Sequence, residues 1–346
     1  MKLDLSGHVI LPGLINAHDH LEFNLFPRLG RELYRNAGEW ARAIHNPGRS
    51  PVREHLKVPI DVRLRWGALK NLLSGVTTVC HHNPFHPDVF DAAFPVRVLR
   101  RFAWAHSLEY DVDVAARFRK APADYPFLIH CAEGTDAAAR AEVPALDELG
   151  ALDARTAIVH GVGLTPRGVQ LIRRRGAALI WCPTSNLNLF GRTVSRTVLH
   201  SGIPIALATD SALSAHCDLL DELAVARRYL PAGRLLELVT AQPAKILRLP
   251  ESYGRRDWMA VRSTFSGPAE ALCSGSVSLV VVRGRIRLIS TELARQLPLS
   301  RRRAFQVLAV EGRDPVLVDA DVRDLVRSAK RHVGPVLRLA GKRVLS

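Results

Sequence analysis

The chain has 346 residues, with 48 Lys or Arg against 33 Asp or Glu, so its formal net charge is +15. Hydrophobic residues make up 47% of it, which excludes a wholly disordered protein and indicates one large α/β domain or a large domain with a small one. No apolar run is long enough for a membrane-spanning helix. The first residues, interrupted by Asp4, Gly7 and Pro12, do not form a signal-peptide core.

The positive charge is a weak indication of nucleic-acid binding. Its two clusters, Arg173–Arg175 and Arg301–Arg303, lack the interleaved aromatic residues that stack on bases. Five Cys without paired spacing do not predict a disulfide framework, so we expect a reducing, cytoplasmic location. We therefore predict a small-molecule substrate and neither nucleic acid nor membrane as a partner, with homo-oligomerisation left open.

Short apolar strands alternate with helical sequence, which predicts a parallel α/β architecture. The predicted strands are Leu11–Ala17, Val76–Cys80, Arg97–Ala105, Phe127–Cys131, Ala157–Val159, Ala178–Cys182 and Ile203–Ala208. The predicted helices are Val62–Leu73, Ala137–Leu149, Pro166–Arg175, Asp218–Tyr229 and Arg234–Ala244.

These seven strands are one fewer than the eight of a closed (β/α)8 barrel. The stretch between Arg97–Ala105 and Phe127–Cys131 is too short for another complete unit, so one unit is degenerate or 112–120 hides a strand. We predict a (β/α)8-type barrel over residues 11–250, distorted or missing one unit. Beyond it, β-rich sequence at Trp258–Val261 and Val277–Leu288 predicts that 1–10 and 251–346 form a small β-containing subdomain.

Two histidines end the first predicted strand. His18 and His20 follow the apolar run VILPGLINA (9–17) directly, and side chains two residues apart on a strand point to the same side. At the carboxyl end of a barrel strand they would supply half of a metal site. The alternative is a pair of surface histidines in a loop, which the preceding apolar run disfavours.

A third histidine ends the strand of FLIHCAEG. His130 suits Zn²⁺ or Fe²⁺ as a further neutral ligand, and Glu133 lies where the loop turns it over the barrel mouth for proton transfer. Cys131 is predicted to point away from the axis and pack in the core. Standing alone, His130 would be better explained as a core histidine that has its hydrogen bonds.

His160 and Asp210 end two further strands, in AIVHG and IALATD. Asp210 completes a set of three imidazoles and a carboxylate, or accepts a proton from a water whose pKa the ion lowers. His160 is placed to hold or polarise the resulting hydroxide. The alternative for Asp210 is a helix N-cap, and capping and ligation are compatible.

Weaker candidates surround the same mouth. Phe26 and Arg28, in LEFNLFPRLG, are candidates to close over a planar ring and to meet an anionic group, with packing the equal alternative for Phe26. Asn186, in CPTSN, is a candidate hydrogen-bond partner of the substrate or a turn residue. The histidines at the end of the second strand (His81, His82 and His86) form a pocket wall, a support for the ligands or a surface loop, and none is given a ligand role.

Six motifs carry a family resemblance: LPGLINAHDHL (11–21), GVTTV (75–79), HCAE (130–133), VHG (159–161), CPTSN (182–186) and ATDS (208–211). Together they resemble the amidohydrolase superfamily, in its single-metal branch of aminohydrolases, which includes heterocycle deaminases and triazine hydrolases. The resemblance implies one divalent ion, Zn²⁺ or Fe²⁺, bound by His18, His20, His130 and Asp210. It further implies proton transfer by Glu133 and orientation of the nucleophile by His160.

The same resemblance implies the reaction. We expect hydrolytic deamination of an aminated nitrogen heterocycle (a purine, pterin, pyrimidine or triazine), with metal-bound hydroxide as the nucleophile. The alternatives are hydrolysis of a cyclic amide or a carbon–halogen bond, and a non-catalytic binding protein on this scaffold. The chain departs from the family pattern in a short segment before the barrel and a short stretch between HDH and HCAE. Lys120 is the only lysine near the position that would bridge two metals, which favours one.

Overall fold

The structure of this chain is a computed structural model that describes residues 2–30 and 33–345. Its strands are β1 (His8–Pro12), β2 (Leu14–Asp19), β3 (Val76–His81), β4 (Arg97–Val98), β5 (Ala103–Trp104), β6 (Phe127–Cys131), β7 (Thr156–His160), β8 (Ala178–Trp181), β9 (Ile205–Leu207), β10 (Trp258–Arg262), β11 (Ser276–Val282), β12 (Arg285–Ser290), β13 (Gln306–Leu308), β14 (Val316–Val318), β15 (Arg338–Leu339) and β16 (Lys342–Arg343).

The helices are α1 (Ala37–Ile44), α2 (Val52–Leu56), α3 (Ile60–Leu73), α4 (Val114–Lys120), α5 (Ala137–Glu148), α6 (Pro166–Arg175), α7 (Pro183–Phe190), α8 (Arg196–Leu199), α9 (Leu219–Ala226), α10 (Ala232–Leu238), α11 (Ala241–Ile246), α12 (Pro268–Ser274), α13 (Thr291–Ala294), α14 (Leu299–Arg302) and α15 (Val322–Val333), with a 3-10 turn at Leu21–Phe23. Asp136 and Thr165 cap α5 and α6 through side-chain oxygens. Across the described residues, none of these helices has the length and apolar character needed to cross a bilayer.

The strands β2 to β9 are parallel and lie in two sheets. One has the order β2-β3-β4 and the other runs from β5 to β9 in sequence order. A parallel bridge joins Asp19 to Asp210, so the ends of the first and last of these strands meet. Both faces of β2, β3, β6, β7 and β8 are buried, as expected for parallel strands covered by helices.

The predicted single strand Arg97–Ala105 was wrong in one respect. Its first part, β4, pairs with β3, whereas its last part, β5, pairs with β6. Only residues 99–102 connect the two, without a helix, so the chain shifts from one neighbouring strand to the other within four residues. Residues 112–120 do not hide a strand, because Val114–Lys120 is the helix α4. This is the irregular unit that the strand count indicated.

The two chain ends build an antiparallel sheet with the order β1-β10-β11-β12-β14-β13. Strand β1 pairs along its whole length with β10, from His8 opposite Arg262 to Pro12 opposite Trp258. The turn between β11 and β12 lies at Arg283 and Gly284, both in the left-handed region (φ 55° and 74°).

Helix α3 packs directly beneath the HDH segment. A Cβ on Gly67 would lie 2.3 Å from the carbonyl oxygen of Leu21, so glycine is required at this crossing. One turn later the fully buried Lys70 contacts the Asp19 carboxylate at 2.9 Å, and Asn71 donates to the same carboxylate at 2.7 Å. Because breaking a buried ion pair leaves an uncompensated charge, this contact ties the middle residue of HDH to the helix.

A buried carboxylate on α9 supports α7. Glu222 accepts hydrogen bonds from the backbone nitrogen and hydroxyl of Thr184, at 3.0 and 2.9 Å, in the first turn of a helix whose N-cap residue supplies no side-chain bond. Burial raises the pKa of Glu222 to about 8. An unfolded glutamate titrates near pH ~4.3, so the unfolded state ionises first as the pH rises.

Stability should therefore depend on pH through Glu222. The contribution of this group is fully present below the unfolded pKa and is lost as pH rises toward about 8, at up to ~1.4 kcal/mol per pH unit. We expect Glu222→Gln to flatten the fall in the free energy of unfolding between pH 5 and pH 8, measured by urea denaturation. The exposed Glu148→Gln is the control and should follow the wild type; identical pH slopes for wild type and Glu222→Gln would contradict this assignment.

Candidate metal centre

Three imidazoles and one carboxylate converge at the carboxyl ends of the parallel strands. The Nε2 atom of His130 lies 3.3 Å from that of His18 and 3.4 Å from that of His20. Oδ1 of Asp210 lies 3.5 and 3.6 Å from the Nε2 atoms of His18 and His20. All four residues are buried. The sequence-predicted ligand set is therefore brought together.

The outer ring nitrogens show where the protons are. Each imidazole directs Nδ1 to a partner outside the cluster: the His106 carbonyl for His130 (2.8 Å), the Asn83 side-chain oxygen for His20 (3.2 Å) and the His82 ring for His18 (3.2 Å). A carbonyl oxygen can only accept, so the proton of a neutral His130 lies on Nδ1 and its Nε2 carries a lone pair. The same reasoning applies to His20 and, as argued below, to His18.

This arrangement fits a divalent cation. The Nε2 lone pair of His130 faces those of His18 and His20 at 3.3 and 3.4 Å, and lone pairs this close repel each other unless a positive charge lies between them. Tetrahedral ligands at ~2.1 Å from an ion are separated by about 3.4 Å, which is close to the observed separations. Burial also lowers the pKa of His18 to about 4, so its imidazole is neutral and able to ligate at pH 7.

Asp210 is held with one oxygen toward the imidazoles. Its Oδ2 accepts hydrogen bonds from the hydroxyls of Ser185 (2.8 Å) and Ser214 (2.6 Å), which leaves Oδ1 facing the cluster. Burial by itself raises the pKa of Asp210, but the contacts with His18, His160 and His20 outweigh it, so the pKa lies below its ordinary value. The carboxylate is therefore ionised and can accept a proton or bind a cation.

His160 and Glu133 face each other beside the cluster. Nδ1 of His160 donates to Asn186 Oδ1 at 2.9 Å, and the Asn186 amide donates back to the His160 carbonyl at 3.2 Å. His160 Nε2 therefore carries a lone pair, and it lies 3.5 Å from Glu133 Oε1. Burial, with the nearby Asp210 and Glu142 carboxylates, raises the pKa of Glu133 well above its ordinary value. This raised pKa favours the protonated form, which can donate a proton.

The backbone is strained where these side chains leave their strands. Ala132, His160 and Asp210 have φ values of 54°, 78° and 57°, in the left-handed region that non-glycine residues rarely adopt. Ala132 donates its N–H to the half-buried Glu142 carboxylate on α5 at 2.5 Å, which holds the turn that carries Glu133. Strain of this kind is typical of functional sites.

The weaker candidates fall in different places. Asn186 contacts His160. Phe26 is 4% exposed and packs against Phe23 and His55, as its packing alternative described. Arg28 is exposed, and its backbone nitrogen donates to His216 at 2.7 Å. Substrate contact by these three residues stays a prediction. The predicted packing role of Cys131 is confirmed by its burial in the core.

Sequence reasoning missed several supports of the site. Ser185 lies inside the recognised CPTSN motif, and Ser214 four residues after Asp210, but hydroxyl residues are too common to single out. A cavity of about 60 Å³ adjoins His130 and Glu133 and is also lined by His106 and Tyr110. This is smaller than the ~300–1,000 Å³ of typical small-molecule pockets.

Comparisons with known proteins show which family and which folds this chain resembles. The model of the amidohydrolase family matches residues 118–286. The chain is 27% identical over 309 residues to a 5-methylthioadenosine/S-adenosylhomocysteine deaminase of Syntrophobacter fumaroxidans, covering 73% of this chain and 68% of the relative.

Solved structures show the same fold. An adenosine deaminase from Xanthomonas campestris with bound zinc superposes with a TM-score of 0.66 at 20% identity, over 94% of this chain and 85% of that one. A mutant atrazine chlorohydrolase from Arthrobacter aurescens with zinc and atraton gives 0.67 at 17% identity, over 95% and 89%. The chain is therefore similar to the amidohydrolase family over residues 118–286, and the relative that it matches over most of its length is named as a deaminase, a hydrolase of carbon–nitrogen bonds.

Proposed function

We propose that the protein is a hydrolytic deaminase of an aminated nitrogen heterocycle and that it holds one divalent ion between His18, His20, His130 and Asp210. The observation that carries the proposal is the convergence of three Nε2 lone pairs and an ionised carboxylate oxygen, all buried, on one point. The deaminase relative and the zinc in the similar adenosine deaminase support both halves. The same ligands serve Zn²⁺ and Fe²⁺, and we favour Zn²⁺.

The ion would supply Lewis acidity, which lowers the pKa of a water molecule in the site. Asp210 accepts the proton that this water loses, because its lowered pKa keeps the carboxylate ionised. His160 accepts a hydrogen bond at its free Nε2 and so orients the attacking oxygen, while Asn186 keeps its proton on the opposite nitrogen. Water attacks the ring carbon that bears the amine.

Glu133 acts on the substrate ring. Burial and two nearby carboxylates raise the pKa of its carboxyl group, which favours the protonated form. It donates this proton to the ring nitrogen next to the carbon under attack, which prevents negative charge from accumulating there. Asp210 then returns its proton to the amine, which leaves as ammonia, and the proton lost by the new hydroxyl group as the carbonyl forms restores Glu133.

The chain organisation proposed for this function is a distorted (β/α)8-type barrel over about residues 11–250 with a subdomain from 1–10 and 251–346. The eight parallel strands and the meeting of β2 with the end of β9 at Asp19 and Asp210 support the barrel. The pairing of β1 with β10 supports the subdomain and shifts the first boundary to Pro12.

The activity test is a library of aminated purines, pterins, pyrimidines and triazines, with free bases and nucleosides included, assayed for ammonia. We expect at least one member to release ammonia with the zinc-loaded chain and none to do so with His18→Ala. Absence of ammonia from every member with a protein that binds zinc would contradict deamination.

Hydrolysis of a carbon–halogen bond is the second candidate, because a similar structure is that of an atrazine chlorohydrolase. The site would serve both reactions, since water attacks a ring carbon in each. Chlorinated triazines therefore belong in the same library. Release of chloride without ammonia would favour this candidate, and ring opening without either would favour cyclic-amide hydrolysis.

A further inference from the structure

The three residues after Cys80 reach behind two of the imidazoles of the centre. His82 is fully buried. Its Nε2 lies 3.0 Å from the carbonyl oxygen of Ala105, and its Nδ1 lies 3.2 Å from Nδ1 of His18. The ring thus forms a continuous link from the backbone after β5 to the outer nitrogen of His18.

Only one arrangement of protons satisfies this link. The Ala105 carbonyl can only accept, so His82 carries its proton on Nε2 and a lone pair on Nδ1. That lone pair must accept from His18, which places the His18 proton on Nδ1. His18 is then left with a lone pair on Nε2, the atom that faces His130 and Asp210. The backbone oxygen of Ala105 therefore selects the tautomer of His18 through His82.

Asn83 does the same for His20. Its amide nitrogen donates to Glu22 Oε1, so its amide oxygen faces Nδ1 of His20 at 3.2 Å and accepts the His20 proton. Glu22 in turn lies 3.4 Å from Nε2 of His81, whose Nδ1 accepts the Leu21 backbone N–H at 3.2 Å. Residues 81–83 therefore contact the segment that carries HDH (18–20) through all three of their side chains.

We propose that His82 and Asn83 are positioning residues that set the tautomers and ring orientations of His18 and His20 for metal binding. This inference rests on the proposed function, since it assumes that an ion is bound at the centre. His82 lies close enough to the cluster to be considered a fifth ligand, but its lone pair is directed at His18 and its N–H at Ala105. It acts through His18.

His82 positions its ligand in an unusual way. The outer nitrogen of a ligating histidine commonly donates to a carboxylate, a backbone carbonyl or water. Here the neutral imidazole of His82 lies between His18 and the Ala105 carbonyl. It fixes the ring of His18 without placing a negative charge beside it. Removal of such a partner typically weakens metal binding by about 10–100-fold.

The test measures Zn²⁺ affinity of the full chain by competition with a chromophoric chelator. We expect His82→Ala to bind Zn²⁺ about 10–100-fold more weakly and His82→Asn to recover most of this loss, because its side-chain oxygen lies near the former Nδ1 and can accept from His18. His86→Ala, in the same loop, is the matched control and should bind as the wild type does. The visible spectrum of the Co²⁺-loaded chain should change for His82→Ala and not for His86→Ala.

Near-UV circular dichroism checks that His82→Ala folds. If it does not, Asn83→Ala tests the proposal through His20, and we expect this variant also to bind Zn²⁺ more weakly than the wild type. The proposal is overturned if folded His82→Ala and Asn83→Ala bind Zn²⁺ as tightly as the wild type with an unchanged Co²⁺ spectrum. It is also overturned if His82→Asn is as weak as His82→Ala, since packing would then explain the loss. A wild type that binds no ion would overturn the metal centre itself, which separates failure of the proposed function from failure of this inference.

Discussion

Glu133→Gln is expected to retain one metal ion per chain and to lose about 10²–10⁴-fold in kcat, the usual contribution of a general acid–base group. Glutamine has nearly the same shape but no proton to pass to the ring nitrogen. The side chain lies 3.5 Å from His160 and is not among the four proposed ligands, so the metal content should not change. Steady-state ammonia release and elemental analysis of the same preparation measure the two quantities.

Glu148→Gln is the matched control, because Glu148 is an exposed carboxylate at the end of α5. It should have wild-type kcat and metal content. Full activity of Glu133→Gln would exclude proton transfer by this residue. Loss of the metal together with activity would instead assign Glu133 to the ion's coordination.

His18→Ala is expected to abolish stoichiometric metal binding and reduce turnover to that of the metal-free protein. His18 makes two of the four close ligand–ligand contacts, to His130 and Asp210. Its removal leaves only three of the four proposed ligands. The loss of affinity should exceed the ~10–100-fold typical of an outer partner. Metal content after dialysis against a chelator, followed by activity with and without added Zn²⁺, checks this expectation.

His45→Ala, on the exposed residue after α1, is the control for removal of an imidazole and should retain the ion. Because His18 is fully buried, His18→Gln is a second variant that leaves a smaller void. If both His18 variants fold and keep a stoichiometric, chelator-resistant ion, the centre lies elsewhere.

The ligand set could be predicted because its signals are local. His18, His130 and Asp210 each lie at or just after the end of an apolar strand, and His20 follows His18 by two residues. Carboxyl ends of parallel strands lie at one edge whatever the connections are. The positions of these residues therefore depend on strand direction and not on details of packing.

The supports of the ligands had no comparable signal. His82 reaches His18 across 64 residues of sequence, and Asn83 reaches His20 across 63. Their sequence context, HHNPF, is equally compatible with a surface loop. Phe26 illustrates the opposite case: it follows HDH closely, but its ring is buried against His55. Nothing in the order of residues distinguishes an aromatic side chain that lines a mouth from one that packs behind it.

Strand periodicity and residue types sufficed to predict the parallel α/β class, the β-rich tail and the four residues that meet at the centre, because these follow from local alternation and strand polarity. The division of Arg97–Ala105 between two partners, and the tautomer of each imidazole, required the folded chain. Both depend on which backbone group lies opposite a given atom, and contacts between distant segments are set by three-dimensional packing.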